Sequence, residues 1–497
     1  MQHHYVSQQL RPSLAALLCC ACLLPACSEI EADVPPDVYL IVVDTLRADR
    51  MGCYGYDRDT TPYLDSLAAR GTLFLDNTAQ SSWTKPSMVS LFSGQYITNF
   101  RDLLPEDSPS LAETLDGAGY LTIGIVGNVL LPTRLGFDRG FDHYDARELT
   151  EDERAARVAK GMHSIPCREL DQLRISLESE LDREFARRDA GEHRPLFAYL
   201  HAMDTHAPYE RRADVLRELP TDGVTVQLPG DWHNDKALQL GLDASAPESR
   251  KSWHLVNTQR GLYDVELRYT DDQLRLFFER LEREGRLENA VVVVVADHGE
   301  NLWEHLEMKR TTKLRELPLE KVFQQEHGRN LSRPLLATPF LLWGKGIPQG
   351  QRIEQSVENL DLYPTLLELA GIPAVDGLQG RSLVPLLSGT GEDWQRDMHA
   401  FTLYATSIRE RGTGLKLVLP SEAGLQFDAT PGLFDTLVDP REHHNLYASR
   451  HDDVARLARK IDQWRRAFPT TATAEFPDDP DLLRHMRALG YIGDEAE

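Results

Sequence analysis

The sequence predicts an α/β protein in which a central, mostly parallel sheet is sandwiched by helices and followed by a small α+β unit. Three observations carry this expectation. Val38–Val43 and Val291–Ala296 are continuous apolar runs, the pattern of strands covered on both faces. Between these runs lie long segments with apolar residues three and four apart, as in helices packed on a sheet. Beyond residue 390 the pattern changes to short strand-like runs separated by turns.

Taken in order, Leu14–Leu24 is an apolar run preceded by Arg11, too short to span a bilayer at about 20 residues. It reads as a secretory signal over 1–27. Its end, Leu24-Pro25-Ala26-Cys27, resembles a bacterial lipoprotein signal in which Cys27 becomes the lipidated residue; a cleaved soluble form is the alternative. Residues 28–36 read as a tether, 37–390 as a catalytic domain and 391–497 as a small α+β subdomain. Within the large part, helices are expected at Thr61–Ala69, after Thr84 as far as Gly94, at Ser108–Ala118, and as one long charged surface helix over Glu151–Arg187. Another is expected at Gln259–Glu284, and one at Asp361–Ala370. Strands are expected at Leu121–Val126, Leu196–Leu200 and Phe340–Trp343. Arg211–Trp253 reads as an insertion and Trp303–Arg333 as a flap beside the site. In the last part, residues 401–410 and 414–419 read as neighbouring antiparallel strands, with a closing helix over Asp452–Ala467.

The 497 residues carry a formal net charge of −24, which argues against a nucleic-acid backbone as partner. A small anionic substrate stays compatible, because a local metal overrides the global field. Of six cysteines, Cys19, Cys20, Cys22 and Cys27 belong to the signal. Cys53 and Cys167 remain, as one disulfide or as two buried thiols.

Ligands of open α/β sheets bind at the carboxyl ends of strands. Asp44 ends the first strand, and Asp297, followed by His298, ends the second valine run. Carboxylates with an imidazole suit zinc or manganese, whereas calcium or magnesium would more often keep to oxygen. Thr84 stands before a helix; its hydroxyl is either a helix cap or a nucleophile activated by a metal. His201 and His206 follow a strand with Asp204 between them, and His327 precedes a glycine. Each is either structural or a group that protonates or binds a substrate oxygen.

The segments VVDTLRADRMGCYGY, SSWTKPSMVSLFSG, GFDRGFDHYD, HAMDTHAPY, VVVVVADHGE, ENLDLYPTLLELAGIP, LVDPREHHNL and LRHMRALGYI together resemble the sulfatase family, in the right order from about Val38 to Ile492. That resemblance implies an alkaline-phosphatase-like sandwich with a small C-terminal domain. It implies a divalent metal held by Asp44, Asp297 and His298, with the nucleophile beside it and His206 on the ester or leaving group. Asn128 and His327 fall where supporting polar groups stand. The sequence also departs from the family. Sulfatases carry Cys or Ser, one residue, Pro, one residue and Arg, the first converted to formylglycine; here stand Thr84, Lys85, Pro86, Ser87 and Met88. Thr45 replaces a second metal carboxylate, and His298 stands where many members have Asn. This pattern resembles the threonine-nucleophile branch of phosphoethanolamine and phosphoglycerol transferases and phosphodiesterases. In it, Lys85 and Arg47 would neutralise phosphoryl oxygens and His201 would bind substrate. The expectation is therefore an exported, envelope-associated, metal-dependent hydrolase of phosphate or sulfate esters, acting on a small-molecule, glycan or lipid ester, with a membrane link through Cys27. The alternatives are a formylglycine-independent sulfatase, a phosphotransferase to an envelope glycan or lipid, and a non-catalytic surface binding protein.

Overall fold

The computed structural model describes residues 34–96, 104–105, 108–162, 166–210, 212, 215, 250–302, 327–328, 330–426 and 429–468, with backbone alone at 250–258, 423 and 426. The expected signal with Cys27, most of the tether, most of the insertion and flap, and the C-terminal LRHMRALGYI lie outside the described residues.

Strands β1 (Asp37–Val43), β2 (Thr72–Phe74), β3 (Asn77–Thr78), β4 (Leu121–Val126), β5 (His143–Asp145), β6 (Leu196–Ala202), β7 (Ala290–Val295), β8 (Phe340–Gly344), β9 (Gln351–Ile353) and β10 (Val357–Glu358) belong to the large part. Eight of them form one sheet in the order β5-β4-β6-β1-β7-β8-β2-β9. The pairs from β5 to β7 are all parallel. β8 alone runs against both its neighbours, so the sheet is mixed.

The unbroken apolar runs follow from burial on both faces. Val38, Leu40 and Val42 of β1 join one core with Val291, Val293 and Val295 of β7. Tyr39, Ile41 and Val43 join the opposite core with Val292 and Val294. Helices α1 (Pro62–Arg70), α2 (Thr84–Ser93), α3 (Leu111–Gly117), α4 (Glu151–Ala159), α5 (Leu170–Asp189), α6 (Arg250–Arg283) and α7 (Leu362–Leu369) belong to the same part, and all but α4 pack on this sheet. The first core takes Met88, Val89, Leu91 and Phe92 of α2 with Leu366 of α7, and the second takes α1, α5 and α6. Asp37 is tolerated at the buried start of β1 because its carboxylate accepts from Leu196 N at 2.8 Å and from Arg188 at 2.6 and 3.0 Å.

The single surface helix expected over Glu151–Arg187 is instead two. Gly161, at φ 78°, follows the end of α4, and Pro166 precedes α5. Leu173, Leu177, Leu181 and Phe185 recur every four residues and are buried, so α5 is a core helix.

The smaller sheet is antiparallel, in the order β11 (Met398–Phe401), β12 (Ala405–Arg409), β13 (Leu415–Pro420), β14 (Gly432–Asp435). The strand expected at 401–410 breaks at Thr402, whose hydroxyl accepts from Tyr404 N and Ala405 N to close a tight turn. Helix α8 (His451–Ala467) covers this sheet with Leu457 and Ile461 and sends Trp464 into the first core. Cys53 and Cys167 are both free thiols. Among the described residues no helix is long and apolar enough to cross a membrane.

Candidate active site

The parallel strands β4, β6, β1 and β7 share one rim at their carboxyl ends, and the polar residues of the site are delivered there. Asp44 continues β1, its N–H bonded to Ala202 O at 2.9 Å. His201 comes from the end of β6, Asp297 and His298 follow β7, and Asn128 follows β4. Asp44, His201, Asp297 and His298 are completely buried.

Thr84 comes from outside this sheet. Trp83, not Thr84, occupies the cap position of α2, and Thr84 is the first helical residue. Its hydroxyl is buried and lies 3.3 Å from both Asp44 Oδ2 and His298 Nε2. The capping role that its sequence context allowed is therefore not the one it plays.

Proton bookkeeping defines the pocket. The Asn128 amide donates to Asp44 Oδ2 at 2.6 Å and lies 3.4 Å from Thr84 Oγ1, while its own Oδ1 accepts from Leu130 N. His298 Nδ1 faces Gly299 O at 2.8 Å, so the proton sits on Nδ1 and Nε2 presents a lone pair. That lone pair points among Asp44 Oδ1 at 3.8 Å and Asp297 Oδ2 at 3.5 Å. Both of those carboxylate oxygens are buried and without a hydrogen-bond partner. Bare lone pairs facing one another in the interior repel unless a cation lies between them. Among the described residues, Asp44, His201 and Asp297 form a group that could hold a metal ion, with ligand atoms within 4.8 Å of one another. A divalent metal fits this donor set, and His298 Nε2 borders it.

Electrostatics agree. Burial raises the Asp44 carboxyl, but the His201 hydrogen bond and the charges of His206 and His298 outweigh it and hold it well below the ordinary value. Burial and then the Asp44 charge push Asp297 upward. Burial pulls His298 down, which keeps its imidazole neutral.

Two expected assignments change. His201 was expected on the substrate; the β6 register instead places its Nε2 3.4 Å from Asp44 Oδ2, with Nδ1 2.7 Å from the Tyr199 hydroxyl. Removing that support in Tyr199→Phe is expected to weaken metal affinity about 10-fold or more, read by metal titration. Arg47 was expected on a phosphoryl group; its guanidinium is buried and forks onto Asp49 at 2.8 and 2.7 Å, with a third bond to Glu300 O. It braces the turn after Asp44. Lys85 is buried in the first turn of α2.

His206 and His327 do come to the site. Their ring centroids lie 4.9 Å apart, and the His327 and His298 rings 4.8 Å apart. The sequence reading missed three supporting groups. Glu300, wholly buried, holds His327 Nδ1 at 3.0 Å. Thr205 Oγ1 donates to Asp44 O at 2.5 Å. Thr45, at φ 57°, turns its N–H onto Asp297 Oδ1 at 3.2 Å. Only Glu300 left a signal, three residues after Asp297 in the same polar run. Gly299 between them is required, because a Cβ there would lie 2.1 Å from Pro334 O.

The His206 loop is tied down by a buried ionic cluster. Arg212 pairs with Asp204 at 3.0 Å and Glu266 at 2.7 Å, and Arg157 with Glu169 at 2.7 Å and Glu210 at 2.8 Å. Four carboxylates share two guanidinium groups, so the cluster is short of positive charge. Burial pushes Asp204 up to about 7 and Glu266 up to about 8. Burial likewise pushes Asp271, which caps α1 through Tyr63 N and Leu64 N, up to about 7. All three bind protons in the fold that the unfolded chain, near 4, has released. Stability therefore falls as pH rises from about 4 through 7 to 8. His399, buried and held down to about 3, works the other way below about 6.5. Melting temperature is expected to rise as pH is lowered from about 8.5 to 6.5, by an amount on the order of 2 kcal/mol in stability, read by thermal scans across buffers.

A family model described as Sulfatase matches residues 36–372. The chain belongs to the sulfatase family. A second model, for the C-terminal part of N-sulphoglucosamine sulphohydrolase, matches residues 326–467, which include the small sheet of this sulfatase-family protein. Human arylsulfatase A is 26% identical over 476 residues, covering 83% of each chain. An arylsulfatase of Clostridium perfringens is 22% identical over 500 residues, covering 91% of this chain and all of that one. The crystal structure of a phosphonate monoester hydrolase of Agrobacterium radiobacter superposes with a TM-score of 0.62 at 18% identity, covering 87% and 96%. Family, fold and donor set together make this a metal-dependent hydrolytic enzyme of the sulfatase and phosphoesterase type.

Proposed function

We propose that this enzyme hydrolyses phosphate esters through Thr84, with Asp44, His201 and Asp297 holding a divalent metal and His298 completing the pocket. The observation that carries the reading is the position of Thr84 Oγ1, 3.3 Å from both Asp44 Oδ2 and His298 Nε2. A bound divalent cation would supply positive charge to the ester anion and ease ionisation of a hydroxyl beside it.

The chain's own groups account for the rest. The Thr84 proton has Asp44 Oδ2 and His298 Nε2 within reach. Its oxygen then forms a bond to phosphorus as the bond to the leaving oxygen breaks. His206, or His327 oriented by Glu300, donates the proton that the leaving alkoxide needs. Water attacks the phosphothreonine in the second step, releasing phosphate and restoring the hydroxyl. Lys85, buried one residue from the nucleophile, contributes positive charge to the same turn.

Phosphate is favoured over sulfate by what stands at the nucleophile. The methyl-bearing Cβ of Thr84 cannot become an aldehyde hydrate, and the family's arginine is replaced by Met88, packed into the core. The chain is further proposed to be exported and held at the envelope, on the strength of its N-terminal apolar run and Cys27. A panel of 4-nitrophenyl phosphate, phosphodiester, phosphonate and sulfate on metal-loaded protein tests the reaction. Turnover of phosphorus esters well above that of sulfate is expected; faster sulfate cleavage overturns the choice of ester. No turnover of any of them, with metal bound, favours a binding protein.

A further inference from the structure

Two backbone groups of the turn after Asp44 end on one side chain from outside the sheet. Tyr263, completely buried on α6, donates its hydroxyl proton to Thr45 O at 2.9 Å, and the same oxygen accepts from Arg47 N at 2.9 Å. Burial pushes this hydroxyl well above its ordinary value, so it keeps the proton that it donates. The next residue, Asp264, accepts from the Tyr56 hydroxyl at 2.8 Å and from Arg58. Two consecutive residues of α6 thus hold the segment that follows β1.

What Tyr263 fixes is the direction of one peptide. Thr45 sits at φ 57°, a conformation that a β-branched residue enters only at a cost. In it the Thr45 N–H reaches Asp297 Oδ1 at 3.2 Å, alongside His298 N at 2.8 Å. Two donors on Oδ1 leave Oδ2 as the oxygen that faces His298 Nε2 at 3.5 Å, with no hydrogen-bond partner. The Thr45 hydroxyl also donates to Asp44 O at 2.6 Å, so the same turn braces both carboxylate residues. Without the Tyr263 hydroxyl, a buried carbonyl and a buried N–H would lose this partner, and the strained turn would lose a group that opposes its relaxation.

We propose that Tyr263 is a positioning residue of the metal site: its hydroxyl holds the Thr45 turn so that Asp44 and Asp297 present their free oxygens to a divalent cation. Its contacts are with the backbone of Thr45 and Arg47, and it acts through them. This rests on the metal-site reading above.

Tyr263→Phe removes the hydroxyl and keeps the ring that packs on Tyr209, with centroids 5.8 Å apart. Tyr39→Phe is the matched control. Tyr39 is a completely buried tyrosine of the same core, and its hydroxyl has no hydrogen-bond partner among the described residues. Metal-free melting temperatures establish that both variants are folded. Each is titrated with Co²⁺, a divalent probe whose visible absorption reports the geometry of its ligands. Tyr263→Phe is expected to bind Co²⁺ about 10-fold more weakly than the wild type, with a shifted visible band. Tyr39→Phe is expected to keep both the affinity and the band of the wild type. An unchanged affinity or an unchanged band in Tyr263→Phe overturns the proposal, as does an equal loss in Tyr39→Phe. A wild type that takes up no Co²⁺ overturns the metal site and the proposal together. A wild type that binds Co²⁺ but turns over no ester refutes the hydrolase reading alone, and the titrations still decide the role of Tyr263.

Discussion

Thr84→Ala is expected to lower ester turnover by about 10⁴-fold or more, while leaving metal content and melting temperature close to those of the wild type. The size of the effect follows from the loss of the only hydroxyl that lies 3.3 Å from both Asp44 Oδ2 and His298 Nε2 among the described contacts. The retained stability follows from position. Thr84 is the first residue of α2, and Trp83 fills the cap position. Thr84→Ser keeps the hydroxyl and is expected to retain measurable activity, because only the methyl that restricts its rotamer is lost. Rapid quench with a radiolabelled phosphate ester should trap label on the wild type and none on Thr84→Ala. Turnover of Thr84→Ala within tenfold of wild type would remove the nucleophile from this side chain and direct attention to water acting directly.

Removing metal is the second large effect. Two buried carboxylates, Asp44 and Asp297, present oxygens with no hydrogen-bond partner beside the lone pair of His298. Without a cation these groups destabilise the fold; with one they bind it. At a concentration 100 times the dissociation constant, a metal that binds only the folded chain adds about 2.7 kcal/mol. Chelation is therefore expected to lower the melting temperature by several degrees and abolish activity, with both restored on re-addition of metal. Asp297→Asn removes one of the two like charges while keeping shape. Its metal-free form is expected to melt no lower than metal-free wild type, and its response to added metal should be largely lost. An identical chelator response in wild type and Asp297→Asn would place the stabilising metal elsewhere in the chain.

The parts of the fold that were legible share one cause. A strand covered on both faces must be apolar throughout, so β1 and β7 announced themselves, and the polar residue ending each run had to lie on the rim. Strand direction left no such mark: β8 is apolar like the parallel strands of the sheet, and its antiparallel placement is decided by connections rather than composition. Roles that depend on which side of a rim a side chain faces were likewise hidden. His201 reads the same whether it binds substrate or borders a metal; its places beside the Tyr199 hydroxyl and Asp44 Oδ2 appear only in the fold. Arg47 looked like an anion-binding cation because Asp49, close by in the chain, gives no sign in sequence that it curls back. The break between α4 and α5, by contrast, was written in Gly161 and Pro166, and the long charged run obscured it.

Thr45 carries a consequence for the charge of the site. It is a β-branched residue in the left-handed region, at φ 57°. Asp and Asn enter that region far more readily than threonine. The conformation is held by backbone groups, the N–H on Asp297 and the carbonyl on the Tyr263 hydroxyl at 2.9 Å. The threonine hydroxyl adds a third tie, donating to Asp44 O at 2.6 Å. An aspartate here would suit the backbone but would lose that donor and set another negative charge beside Asp44 and Asp297.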